Sequence, residues 1–136
     1  MRLRMSRSFV VILLAACAAP PEAAAPARRT FDATPERIRA ACRDALRGWP
    51  IQTEGDVIET GWRETDGPTS TAGRLLGTRD LERSRFHVTI EGNEVAARVD
   101  VERRPRLGAT ATRWERAYSD GRHEREFFDR VEASLR

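Results

Sequence analysis

Between Arg85 and Glu102 the chain alternates apolar and polar residues almost without a break. Phe86, Val88 and Ile90 interleave with Arg85, His87 and Thr89. Beyond Glu91-Gly92-Asn93, Val95, Ala97, Val99 and Val101 interleave with Ala96, Arg98, Asp100 and Glu102. Successive side chains of a strand point to opposite sides, so the pattern describes strands with one apolar face and one wetted face. A sheet of this kind must bury its apolar face against another layer. At 136 residues, the chain fits one modest domain and excludes a multidomain enzyme.

The covering layer is legible on both sides of these strands. Thr34-Pro35 marks a helix start: Thr caps an orphan N–H, Pro suits the first helical position, and Glu36 favours the positive end of the helix dipole. Ile38, Ala41, Cys42, Ala45, Leu46 and Trp49 then recur at intervals of three and four, with Gly48 as a C-terminal cap. A last helix carries Phe127, Phe128, Val131 and Leu135. Ile51-Gln52-Thr53-Glu54 and Val57 to Trp62 around Gly55-Asp56 predict a hairpin. Thr30-Phe31-Asp32 suits a short edge strand, and Ala109 to Tyr118 a return strand through Trp114. Residues 64–80, rich in Gly, Thr and Ser, read as a long loop, and Arg103-Arg104-Pro105-Arg106-Leu107-Gly108 as a turn. The expected fold is α+β: an antiparallel β-sheet packed against one or two α-helices in a two-layer domain over residues 30–136.

The first 16 residues have a different character. Arg2, Arg4 and Arg7 precede the eight apolar residues Phe9 to Ala16. A membrane-spanning helix needs about 20, so this run predicts a processed signal peptide. Leu14-Ala15-Ala16-Cys17 resembles the bacterial lipoprotein box, in which small residues precede a cysteine whose sulfur carries diacylglycerol. The resemblance implies a diacylglycerol and an N-acyl lipid on Cys17; the other reading is ordinary Ala-x-Ala cleavage. Lipid contributes about 0.8 kcal/mol per buried CH₂, so several chains hold a protein stably on a membrane. Residues 17–29, with three prolines and no large apolar side chain, read as the lipidated cysteine and its tether. Twelve extended residues would lift the domain on the order of 35 Å from the bilayer. Ala18 rather than Asp after the cysteine predicts the periplasmic face of the bacterial outer membrane.

All 24 basic residues are arginine, a pattern that fits the codon bias of a GC-rich genome. Removing residues 1–16 takes away three of them and no acid, leaving 21 against 21, so the net charge of +3 belongs to the export signal. A nucleic-acid partner therefore has no electrostatic support. With Cys17 acylated, Cys42 has no disulfide partner and reads as a small core residue.

From about Phe31 to Leu135 the chain resembles the helix-grip domains of the BamC (NlpB) group, lipoprotein components of the outer-membrane β-barrel assembly machinery. The resemblance rests on the lipobox at Cys17, Phe31-Asp32-Ala33-Thr34-Pro35, and the helix ending Ala45-Leu46-Arg47-Gly48-Trp49. It rests also on Val57-Ile58-Glu59-Thr60-Gly61-Trp62 and on Arg85-Phe86-His87-Val88-Thr89-Ile90 followed by a valine-rich strand. The chain has room for one such domain where the family's type has two and a long N-terminal segment. The resemblance implies a non-catalytic module that docks with an envelope or outer-membrane protein complex.

Catalytic chemistry finds little to use. His87 and His123 are the only histidines. His123-Glu124-Arg125-Glu126-Phe127 lacks the second histidine of a zincin pair and reads as a surface histidine at a helix start, while His87 falls on the wet sheet face. Gly-x-Ser-x-Gly, P-loop and Gly-x-Gly-x-x-Gly motifs are absent from the sequence. Thus the sequence predicts no catalytic residue, no metal site and no cofactor beyond the lipid. The candidate partner-binding residues are Trp62 and Arg63 with the loop after them, and Arg103, Arg104 and Arg106, with Arg98 and Arg113 nearby. The plainer reading of the arginine cluster is a solvated turn; the functional reading is forked guanidinium contact with an acidic loop or anionic headgroups. Of Trp49, Trp62 and Trp114, two end core elements and have a structural reading, whereas an exposed tryptophan suits a protein interface. Two other functions remain open: a small-ligand or lipid site between helix and sheet, favoured by a sizeable apolar cavity, and an enzyme built around His87.

Overall fold

A computed structural model describes residues 25–106 and 113–136. Cys17, Leu107, Gly108 and the first part of the return strand from Ala109 lie outside the described residues. The two alternating runs form β5 (Leu81–Glu91) and β6 (Glu94–Arg104), paired antiparallel along their whole length from Leu81↔Arg104 to Glu91↔Glu94. Gly92 opens the two-residue connection at φ +62°, a left-handed conformation that glycine adopts without steric cost.

Around this ribbon lies a seven-stranded antiparallel sheet. β1 (Ala27–Thr30) and β7 (Glu115–Ala117) share the free side of β6. β3 (Val57–Thr60) and β4 (Arg63–Asp66) follow one another along β5, and β2 (Ile51–Thr53) pairs with β3 across the predicted hairpin. Where the chain passes from β3 to β4, the Phe86 N–H donates to Thr60 Oγ1 at 2.9 Å, so a side chain satisfies a buried donor between the two pairings.

α1 (Pro35–Ala45) begins as the capping residues direct: Thr34 Oγ1 accepts from the Arg37 N–H at 3.4 Å. It packs against α3 (Arg122–Leu135), and the Arg37 guanidinium donates to the Leu135 carbonyl at 2.8 Å. The helix stripe Ile38, Cys42, Leu46, Phe127 and Val131 meets the sheet stripe Phe86, Val88, Val95, Ala97 and Val99 in one core. An aromatic file runs through it. Trp49 meets Phe86 edge-on at 5.1 Å, Phe86 lies 5.6 Å from Phe127, and Phe127 lies 5.2 Å from Phe128. The domain is a two-layer α+β fold with α1 and α3 on one face of an antiparallel sheet, as the alternation implied.

Several boundaries depart from the sequence expectations. The first strand is Ala27–Thr30 rather than Thr30–Asp32, so the sheet includes residues 27–29 that composition assigns to a tether. Their arginines are occupied: Arg28 meets Glu94 at 2.6 Å, while Arg29 meets Glu132 at 3.4 Å and lies over the Phe128 ring. Residues 64–80 are not all loop, because β4 extends to Asp66 and a short α2 (Thr71–Leu76) follows. Arg103 and Arg104 end β6 instead of forming a turn, and the return strand shortens to β7.

Candidate functional site

The sheet face opposite α1 and α3 carries the outward half of the alternation. From β5 come Arg83, Arg85 and His87; facing them on β6 are Glu102, Asp100 and Arg98. Arg83 meets Glu102 at 2.5 Å and Arg85 Nε donates to Asp100 at 3.0 Å, both across registered pairs. Opposite charges placed directly across a ladder stabilise it and fix its register.

Two tryptophans from distant parts of the chain close over these arginines. The Arg83 guanidinium lies 4.5 Å from the ring centroids of both Trp62 and Trp114. Arg85 lies 4.7 Å from the Trp62 ring, and Arg104 lies 4.7 Å from the Trp114 ring. Trp62 arrives from the link between β3 and β4, Trp114 from just before β7. The result is a file of alternating cations and indoles, Arg85, Trp62, Arg83, Trp114, Arg104, on the wet face of the sheet. Tryptophan offers the best ring face for a cation and arginine is its more frequent partner, and the stacking keeps long arginine side chains ordered at a surface.

His87 extends this face. Its Nδ1 lies 3.2 Å from Glu59 Oε1 and its Nε2 3.1 Å from Asp100 Oδ2, so both ring nitrogens face carboxylates. Burial works against ionisation of Asp100. Hydrogen bonds from Arg85 and His87 and the charge of Arg98 outweigh it and hold the carboxyl below its ordinary range. A shallow cleft of about 360 Å³ beside His87 is lined by Pro26, Arg28, Thr89, Glu94 and Arg98.

A second polar cluster lies on the helix side, at residues that no sequence motif marks. Glu82 is 2% exposed; it accepts from Arg103 Nε at 2.8 Å, meets His123 Nε2 at 3.2 Å, and lies 3.7 Å from Arg122. The signal was present, because Glu82 is in phase with the inward Phe86, Val88 and Ile90. His123 is therefore not a surface histidine: its side chain is 13% exposed and packs against a buried carboxylate. The α3 start that positions it is held by Asp120, which accepts from the Arg122 N–H at 2.9 Å; that bond and the neighbouring cations keep Asp120 below its ordinary range.

The five candidate binding residues separate. Trp62 and Arg104 belong to the outer file. Arg63 turns to the other face, 4.4 Å above the Trp49 ring. Arg103 pairs with Glu82 on the helix side, and Arg106 pairs with Asp66 at 3.1 Å. The arginine cluster is thus not one patch, because strand alternation sends Arg103 and Arg104 to opposite faces. Trp49 packs against the core as its structural reading implied, whereas Trp114 lies in the outer file.

No family model, no curated protein and no solved structure matches the chain. What the two clusters can do chemically therefore rests on their own geometry. Among the described residues, no group of three or more His, Cys, Asp or Glu side chains is arranged to hold a metal ion, and no helix is long and apolar enough to cross a membrane. Cys42 is fully buried, which pushes its thiol up to about 12 and removes it as a nucleophile. The layer between helices and sheet, where an apolar ligand would lie in a helix-grip fold, is filled by Ile38, Leu46, Phe86, Phe127 and Val131.

Proposed function

We propose that the chain is a lipid-anchored, non-catalytic periplasmic protein-interaction module of the bacterial envelope, and that the outer sheet face is its docking surface. The observation that carries this reading is the Arg–Trp file: Trp and Arg are the side chains most enriched where binding energy concentrates at protein interfaces. Here they are already ordered by mutual stacking, which lowers the entropic cost of binding. Arg104 and Arg116 on this face have no ion-pair partner among the described residues, so an envelope protein presenting acidic side chains fits it. The family resemblance extends the reading to an accessory of outer-membrane protein assembly.

Site-specific photo-crosslinking in native envelopes tests the proposal. A crosslinker at Arg116 is expected to trap a defined envelope protein, and one at Arg39 on the helix side is not. Trp62→Ala is expected to reduce the yield about tenfold; Arg85→Ala serves as a second variant where Trp62→Ala perturbs folding. Unchanged crosslinking in both variants, each with native circular dichroism, would overturn the assignment of this face.

A further inference from the structure

The excursion between β4 and β5 is closed on itself. The Gly67 N–H donates to Asp80 O at 2.8 Å and the Asp80 N–H to Pro68 O at 3.3 Å, so its two ends meet as they leave the sheet. Ser70 Oγ accepts from the Gly73 N–H at 3.0 Å, capping α2, and lies 3.2 Å from Asp80 Oδ1. At the other end Gly77 takes the left-handed cap conformation, and the Thr78 N–H returns to Gly73 O at 2.8 Å. A β-carbon on Gly73 would collide with the Thr78 carbonyl oxygen, so the helix and its return pack backbone against backbone.

This small, internally bonded unit presents Leu75 and Leu76 to solvent, 84% and 63% exposed. Arg74 and Arg79 flank them in the sequence, and neither guanidinium forms an ion pair or hydrogen bond among the described residues. Residues 67–79 contain no acid. Most arginines on this domain are paired with carboxylates, which makes two unpaired ones beside two adjacent exposed leucines a distinct chemical combination. It matches the boundary of an anionic bilayer: leucines enter the region between headgroups and acyl chains, and arginine stems lie along them with guanidinium groups at phosphate level.

We propose that the Leu75–Leu76 loop is a membrane-docking element that inserts into the surface of an anionic phospholipid bilayer, with Arg74 and Arg79 held at the headgroup phosphates. Two leucines give weak, reversible binding, suited to orienting a domain already kept near a membrane. The proposal involves none of the residues of the outer Arg–Trp file and stands or falls separately from it.

The test uses the full chain with Cys17→Ser and Leu75→Cys, an environment-sensitive fluorophore on the new thiol, and buried Cys42 left in place. Vesicles of phosphatidylglycerol with phosphatidylethanolamine are expected to shift the emission to the blue, with quenching by spin-labelled lipid. Phosphatidylcholine vesicles are not. Arg74→Glu and Arg79→Glu are each expected to weaken the response about fivefold. The same probe at Val57→Cys, on an exposed site of β3, is expected not to shift, which separates loop insertion from attachment through the apolar N-terminal run. An unshifted emission at Leu75, an equal shift at Val57, or a shift indifferent to both arginines overturns the proposal. So does a shift that arises only on adding an envelope protein, which would assign the leucines to a protein pocket.

Discussion

Glu82, buried on the inner side of β5, accepts a hydrogen bond from Arg103 Nε at 2.8 Å across the β5–β6 ladder. Arg103 is the nearest of three partners on this carboxylate, and His123 at 3.2 Å and Arg122 at 3.7 Å stay in place when it is removed. Arg103→Ala is therefore expected to cost about 2 kcal/mol in urea unfolding, the loss of one charged hydrogen bond to a buried group, and Arg104→Ala, at the next position but on the outer face, under about 1 kcal/mol. Joint replacement by leucine, Glu82→Leu with Arg103→Leu, is expected to recover most of the loss. Equal costs for the two single variants would contradict the split of the arginine cluster between faces.

Asp100 links acidity to stability. Its carboxyl is held below its ordinary range in the folded chain, so between the folded and unfolded values the unfolded state binds more protons. The contribution is fully present above the unfolded value of about 3.9 and is lost as pH falls through the lower folded value. Asp100→Asn is expected to destabilise by about 1–2 kcal/mol at neutral pH, with the difference from wild type shrinking below about pH 4. A pH series of unfolding midpoints measures it; a constant difference down to acid pH would count against the Arg85 and His87 contacts.

Arg83 holds two indoles at once. Arg83→Ala removes both stacking contacts and the partner of Glu102, and a cost of about 2 kcal/mol is expected. Its spectroscopic signature is a change in tryptophan emission as Trp62 and Trp114 gain access to water. Arg83→Lys is expected to restore the ion pair with Glu102 and only part of the stability, because an ammonium lacks the flat guanidinium face.

Cys42 reports on the core. In the Cys17→Ser chain its thiol is expected to react with a disulfide reagent only as fast as the domain opens. Phe127→Ala, which empties the centre of the aromatic file, is expected to cost about 3–5 kcal/mol and to accelerate that reaction. A native chain that labels at the rate of a free thiol would contradict complete burial.

What the sequence disclosed follows from which side chains carry period. α1, α3 and the paired runs around Phe86 and Val99 alternate apolar with polar residues, and these elements are where periodicity locates them. The alternation continues to Leu81, but its inward members there are Glu82 and Ser84, so a buried strand end reads as polar loop. β1 lacks an apolar side chain larger than alanine; its arginines find Glu94 and Glu132 only through tertiary structure. The meeting of Trp62 and Trp114 over Arg83 was likewise hidden, because β4, β5, β6 and β7 must first be brought side by side.

The inclusion of Ala27–Thr30 in the sheet also decides how a mechanical load enters the domain. Tension along the chain from upstream of Ala27 reaches the four residue pairs between β1 and β6 before it reaches the buried Phe31. Those pairs and the clasp of Arg28 on Glu94 act as a strain relief at the sheet edge. A domain tugged between an anchor and a bound partner would yield first by peeling this strand, leaving the helix–sheet core intact.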